Sequence, residues 1–152
     1  MSLRRLRASD SAEVEVFLGV ADLTLAGLDA PGLHLWVERD AEGGVCGSTG
    51  FELSRDRRHA LVRSVAVAPG LRGSGVGSQL ARFAMAQAAG AGASRAWLFS
   101  RRSGAFWQQL GFELTTTELL TGALGETHQV RLFTRTGQLD REVAWARSLA
   151  HL

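Results

Sequence analysis

Between Val65 and Gly77 the chain reads Val65-Ala66-Val67-Ala68-Pro69-Gly70-Leu71-Arg72-Gly73-Ser74-Gly75-Val76-Gly77. An apolar strand is stopped by proline, and a glycine-rich turn then opens a helix. This arrangement directs several backbone N–H groups at one point, where the helix dipole adds about half a positive charge. Glycine lets an anion approach the amides without a side chain in the way. The loop is therefore read as an anion site, of a size that suits a diphosphate. It is not the P-loop G-x-x-x-x-G-K-S/T, because the chain has no lysine. Nor is it the dinucleotide fingerprint G-x-G-x-x-G, which would need glycine where Ser78 stands.

The rest of the chain frames that loop. With 152 residues, 45% of them hydrophobic and 21% charged, it can bury the core of one domain. No apolar run approaches the ~20 residues of a membrane span, so the expectation is a soluble, cytoplasmic protein without membrane contact. All 17 basic residues are Arg, and Lys, Ile, Asn and Tyr are absent. A pI near 9.9 at a net charge of only +2 follows, because almost nothing titrates between Cys and Arg. Acidic residues are interspersed among the arginines, so no basic stripe argues for nucleic acid. Cys46, the single cysteine, reads as a small buried hydrophobe. The four histidines show no metal-ligand spacing, and no metal is expected. Trp36, Trp97 and Trp107 read as core or cleft walls, and Arg55, Arg57 and Arg58 as a solvated turn.

Periodicity predicts strands over 3–7, 33–38, 45–54, 60–68, 96–100, 112–116 and 127–135. Helices are expected from Asp10 or Ser11 through Leu18, from about Gly75 to Ala89, and after Ser103 up to Gly111. A short helix is read within 20–32. Leu139, Val143, Ala146 and Leu149 suggest a last amphipathic helix over 138–152, packed on the domain of residues 1–137 or on a second copy in a homodimer. The class is a mixed α/β domain with early antiparallel hairpins and a later crossover.

Arg72-Gly73-Ser74-Gly75-Val76-Gly77 matches the Arg/Gln-x-x-Gly-x-Gly/Ala signature of the GNAT family of N-acetyltransferases. Ser64-Val65-Ala66-Val67-Ala68-Pro69 resembles that family's splayed strand. Ser103-Gly104-Ala105-Phe106-Trp107-Gln108-Gln109-Leu110-Gly111-Phe112 resembles its late Phe-Tyr/Phe-x-x-Leu/Gly-Gly-Phe segment. The match spans roughly residues 3–135. Glu52, the run from Leu61 to Val67 and the late helix resemble a smaller group, the arsenic-resistance and phosphinothricin-type N-acetyltransferases. The resemblance implies a mostly antiparallel sheet of six to seven strands flanked by helices, with a splayed strand pair holding the cofactor. It implies acetyl-CoA as donor and a primary amine as acceptor. The pantetheine would lie along Val65, Ala66 and Val67, with the Val65 N–H polarising the thioester carbonyl. The diphosphate would sit on the amides of Arg72, Gly73, Ser74, Gly75, Val76, Gly77 and Ser78.

The chemistry sets its own demands. An alkyl amine is only about one part in a thousand neutral at pH 7, so a base must take its proton. Strand alternation puts Glu52 on the small, polar face with Cys46, Ser48 and Gly50. It is read as that base, as an anchor for the amine, or as an exposed strand-end glutamate. Arg63 interrupts an apolar strand. It either clamps a carboxylate, phosphinate or arsinate on the acceptor or pairs with an acid on a neighbouring strand. Ser64 is a weaker candidate for the same cleft. The family often uses a late tyrosine to reprotonate the thiolate, and Phe106-Trp107 stands there instead. The proton then comes from water or from Ser103, or the thiolate leaves unassisted. The leading function is acetylation of a small amine, such as an amino acid or an analogue with an anionic group. Acetylation of protein amines and a non-catalytic acyl-CoA sensor are the alternatives.

Overall fold

A computed structural model describes residues 2–20 and 32–152. The short helix read within 20–32 falls on residues outside those described. Seven strands form one sheet in the order β1-β2-β3-β4-β5-β7-β6. They are β1 (Leu3–Arg5), β2 (Leu33–Arg39), β3 (Val45–Leu53), β4 (His59–Val67), β5 (Arg95–Phe99), β6 (Glu113–Thr115) and β7 (Ala144–Ser148). Every pairing is antiparallel except β4 with β5, which the crossover through α2 (Val76–Gly90) makes parallel. Among the described residues no helix is long and apolar enough to cross a membrane.

Two layers of helix cover the sheet. On one face Ala81, Ala84, Met85 and Ala88 of α2 pack with Phe51, Val62, Ala96 and Leu98 of the strands. Thr49 Oγ1 donates to the Leu80 carbonyl at 2.7 Å and ties α2 to β3. On the other face Val14 and Leu18 of α1 (Ser11–Val20) bury against Leu35, Val37 and Ala66. Beside them α4 (Thr117–Leu124) and α5 (His128–Thr136) cover Leu61, Trp97 and Ala146 with Leu120, Leu124 and Val130. The remaining helix, α3 (Gly104–Gln109), ends at Gly111, whose φ of +89° favours glycine. Trp36, Trp97 and Trp107 are buried, as is Cys46, whose thiol burial pushes up in pKa. Arg55, Arg57 and Arg58 are exposed.

Three elements differ from the sequence reading, the first being α4, a helix where that reading has no element. Residues 128–136 form helix α5 rather than a strand, with Val130 and Phe133 buried one turn apart. Residues 138–152 are not a helix: a short 3-10 turn at Gln138–Arg141 leads into β7, which inserts between β5 and β6. Ala144, Trp145 and Ala146 are all buried, the continuous apolar run of a strand covered on both faces.

Candidate functional site

The strands β4 and β5 pair only at His59↔Arg95, Ala60↔Ala96 and Leu61↔Trp97. Beyond Leu61 they part, β4 staying on β3 and β5 on β7. A bulge accompanies the parting. Ser48 pairs with Ala66 and Gly50 with Arg63, so Thr49 alone faces both Ser64 and Val65. Ser64 takes a φ of +61°, and its carbonyl accepts the Ser48 hydroxyl at 2.6 Å. The bulge inverts the phase of the strand: Val62 and Val65 both join the α2 face, whereas Ala66 joins the α1 face.

The gap between the strands is a cleft of about 1020 Å³, large for a small-molecule site. Val65, Ala66 and Val67 line one wall, with Arg63 and Ser64 above them. Arg72, Gly73, Gly75, Gly77 and Ser78 line its end, whereas Ser74 and Val76 do not. Gly73 and Gly75 adopt φ of +80° and +88°. The first bond of α2 runs from the Gln79 N–H to the Gly75 carbonyl at 3.2 Å. The Val76, Gly77 and Ser78 amides therefore have no acceptor inside the helix, and no side chain caps them. A Cβ at Gly73 or Gly75 would point into open space. The loop thus offers a ring of donors and helix-dipole charge to an anion, on the edge of a channel.

Glu52 and Arg63 meet across β3 and β4. Arg63 Nη1 donates to Glu52 Oε2 at 3.0 Å, with 1% and 3% of the two side chains exposed. Glu52 Oε1 accepts the His128 N–H at 2.6 Å and Oε2 accepts that of Gln129 at 3.2 Å. Its carboxylate closes the N-terminus of α5, where the helix dipole favours a negative charge. The strand-end reading of Glu52 as exposed is thus corrected, because α5 covers it. Arg63 takes the neighbouring-acid partner weighed above. Burial pulls its pKa down, and the Glu52 charge opposes that shift. Arg63 lines the cleft, but Glu52 does not.

On the β5 side, Ser100 Oγ and Ser103 Oγ share a 2.6 Å hydrogen bond, and Ser100 Oγ accepts the Ser103 N–H. Ser103 precedes α3 as expected, but its hydroxyl pairs with that of Ser100 rather than capping the helix. Phe106 and Trp107 line the cleft below. The far wall is not legible in the sequence, because 127–135 reads as a strand and 138–152 as a helix. It brings Gln129 and Phe133 of α5 to the cleft, then Gln138, Arg141 and Glu142. Glu142 Oε2 accepts Gln138 Nε2 at 2.8 Å and lies 3.4 Å from Arg101 Nε. Among the described residues no cluster of three or more His, Cys, Asp or Glu could hold a metal.

A model of the acetyltransferase (GNAT) family matches residues 3–112. No curated protein matches the sequence significantly. An acetyltransferase of the GNAT family from Staphylococcus aureus Mu50 aligns with a TM-score of 0.75 at 12% identity, covering 97% of this chain and 98% of its own. N-acetylglutamate synthase from Neisseria gonorrhoeae, complexed with coenzyme A and N-acetyl-glutamate, aligns at 0.74 and 16% identity over 99% of this chain. The chain spans 35% of that synthase's length. A Mycobacterium tuberculosis protein, Rv2747 in complex with CoA and NLQ, aligns at 0.74 and 17% identity, covering 97% and 99%. At these identities the likeness is one of fold.

Proposed function

The chain belongs to the acetyltransferase (GNAT) family, and on that premise we propose that it moves the acetyl group of acetyl-CoA to a primary amine of a small molecule, an amino acid or an analogue with an anionic group. The observation that carries this reading is the uncapped α2 N-terminus at the end of a cleft opened by the parting of β4 and β5. The residues present fit the donor: the amides of Gly73, Gly75, Gly77 and Ser78 at the cleft end would hold its diphosphate, those of Arg72 and Ser74 already donating to the Pro69 and Leu71 carbonyls. Val65, Ala66 and Val67 would hold its pantetheine arm in strand fashion. When bound, acetyl-CoA supplies an activated acetyl thioester.

The chain's own groups divide the remaining work. The Val65 N–H would donate to the developing oxyanion, where one aimed donor is worth about 10²-fold or more in rate. Ser103, backed by Ser100, would donate a hydrogen bond to the departing sulfur, in the place where no tyrosine stands. Glu52 accepts three donors already, so we assign it to holding Arg63 and α5 rather than to taking the proton. Support for an anionic group on the acceptor comes from Arg101, Arg102 and Arg141, which line the cleft with Arg63.

Calorimetry with CoA and thiol release from acetyl-CoA over a panel of amines test the reading. Micromolar CoA binding with turnover of a small amine is expected. Absence of CoA binding would overturn it, binding without any turnover would favour the sensor, and preference for peptides would move the acceptor class.

A further inference from the structure

Neutralising the acceptor's ammonium needs a proton acceptor in the cleft, and Glu52 has both oxygens committed. Among the described residues one carboxylate lines the cleft, that of Glu142, and no histidine does. The Glu142 side chain is 5% exposed. Its two partners, Gln138 Nε2 and Arg101 Nε, both approach Oε2. Oε1 accepts nothing among the described residues, yet it is not a sealed, orphaned atom. The backbone fixes where Glu142 stands. The Ser100 N–H donates to the Val143 carbonyl at 2.9 Å, so Glu142 stands one residue from the point where β5 turns toward α3. That is the wall carrying the Ser100–Ser103 hydroxyl pair.

Resting on the acetyl-transfer reading above, we propose that Glu142 is the carboxylate that receives the acceptor's ammonium group and takes its proton. Arg101 and Gln138 hold one oxygen and fix the rotamer, leaving Oε1 for the substrate N–H. An N–H bond of the ammonium breaks as an O–H bond forms on Glu142. The freed lone pair makes the C–N bond to the acetyl carbon while the C–S bond breaks. The sulfur keeps that electron pair and becomes the thiol by taking the second ammonium proton, as another N–H bond breaks on the nitrogen now joined to the acetyl carbon. Glu142 then returns its proton to solvent, so the sum is ammonium plus acetyl-CoA giving amide, CoA thiol and one proton.

Glu142→Gln separates this role from a structural one, since the amide oxygen still accepts from Gln138 and Arg101 but is not a base. Thiol release is measured over the twenty amino acids, ethanolamine and putrescine, and the fastest amine is carried forward. E142Q should lose about 10²-fold in kcat while binding CoA within about threefold of the parent protein by calorimetry. Glu142→Asp, with the carboxylate withdrawn by one methylene, should lose about tenfold. The proposal is overturned if E142Q keeps its kcat, if E142D matches either the parent or E142Q, or if no amine of the panel is turned over by a parent that binds CoA. Failure of the parent to bind CoA would instead sink the acetyl-transfer reading beneath it.

Discussion

Glu52 and Arg63 keep 3% and 1% of their side chains exposed, so neither ion has water to replace its partner. Breaking such a pair from one side leaves an uncompensated buried charge and costs about 3–5 kcal/mol. Glu52→Gln should therefore lower the unfolding free energy from urea titration by that much, with a lower midpoint, and pairing it with Arg63→Met should recover part of the loss. A 10²-fold drop in kcat for E52Q with an unchanged midpoint would return the base to Glu52. His34 tests a different balance. It stacks on Phe51 at 4.9 Å, and burial first, then the charges of Arg5 and Arg57, pull its pKa below the ordinary histidine value of 6.5. Between the lowered folded value and the unfolded one, the unfolded chain binds more protons, so stability falls as pH drops through that window. The urea midpoint should decline from about pH 7.5 to about pH 5.5, and His34→Gln should flatten the histidine part of that slope.

At the scale of elements, the loop before α2 depends on backbone shape more than on side chains. Gly75 caps α2 with φ of +88°, a conformation that a β-branched residue strains to reach. Gly75→Val should weaken CoA binding by about tenfold or more through that strain of ~1–3 kcal/mol, which displaces the amides the loop presents. Calorimetry decides it, and unchanged affinity would refute the loop's role. The strands β2, β3, β4 and helix α2 were legible in the sequence because alternation, proline and clustered glycine mark them without tertiary help. The segment 127–135 was not legible, because Thr127, Val130, Phe133 and Thr134 favour strands by propensity, whereas Val130 and Phe133 bury at helical spacing. Gly137, at φ of +77°, was the helix-stop signal passed over. The glycine-rich turn that opens α2 could be read from local residues alone. The Glu52–Arg63 pair and Glu142 could not, since each depends on a partner brought from a distant element.

Over the whole molecule, the last strand decides whether the cleft exists at all. From Ala144 to Ser148, β7 pairs with β5 along its full length and with β6 at three positions, so it joins the edge strand to the sheet. Trp145 also donates its indole N–H to the Ser100 carbonyl at 2.9 Å, and a Cβ on Gly104 would come within 2.8 Å of its ring. One strand thus supports the outer wall of the cleft and the start of α3. A fragment of residues 1–137 would leave the buried β5 edge unpaired and β6 without a neighbour, with several backbone groups stripped of partners. It should show no cooperative urea transition, expose apolar surface and fail to bind CoA. Supplying 138–152 as a separate peptide should restore part of the transition, because the missing strand enters between two existing edges. A fragment that unfolds cooperatively and binds CoA unaided would show that the sheet closes without β7.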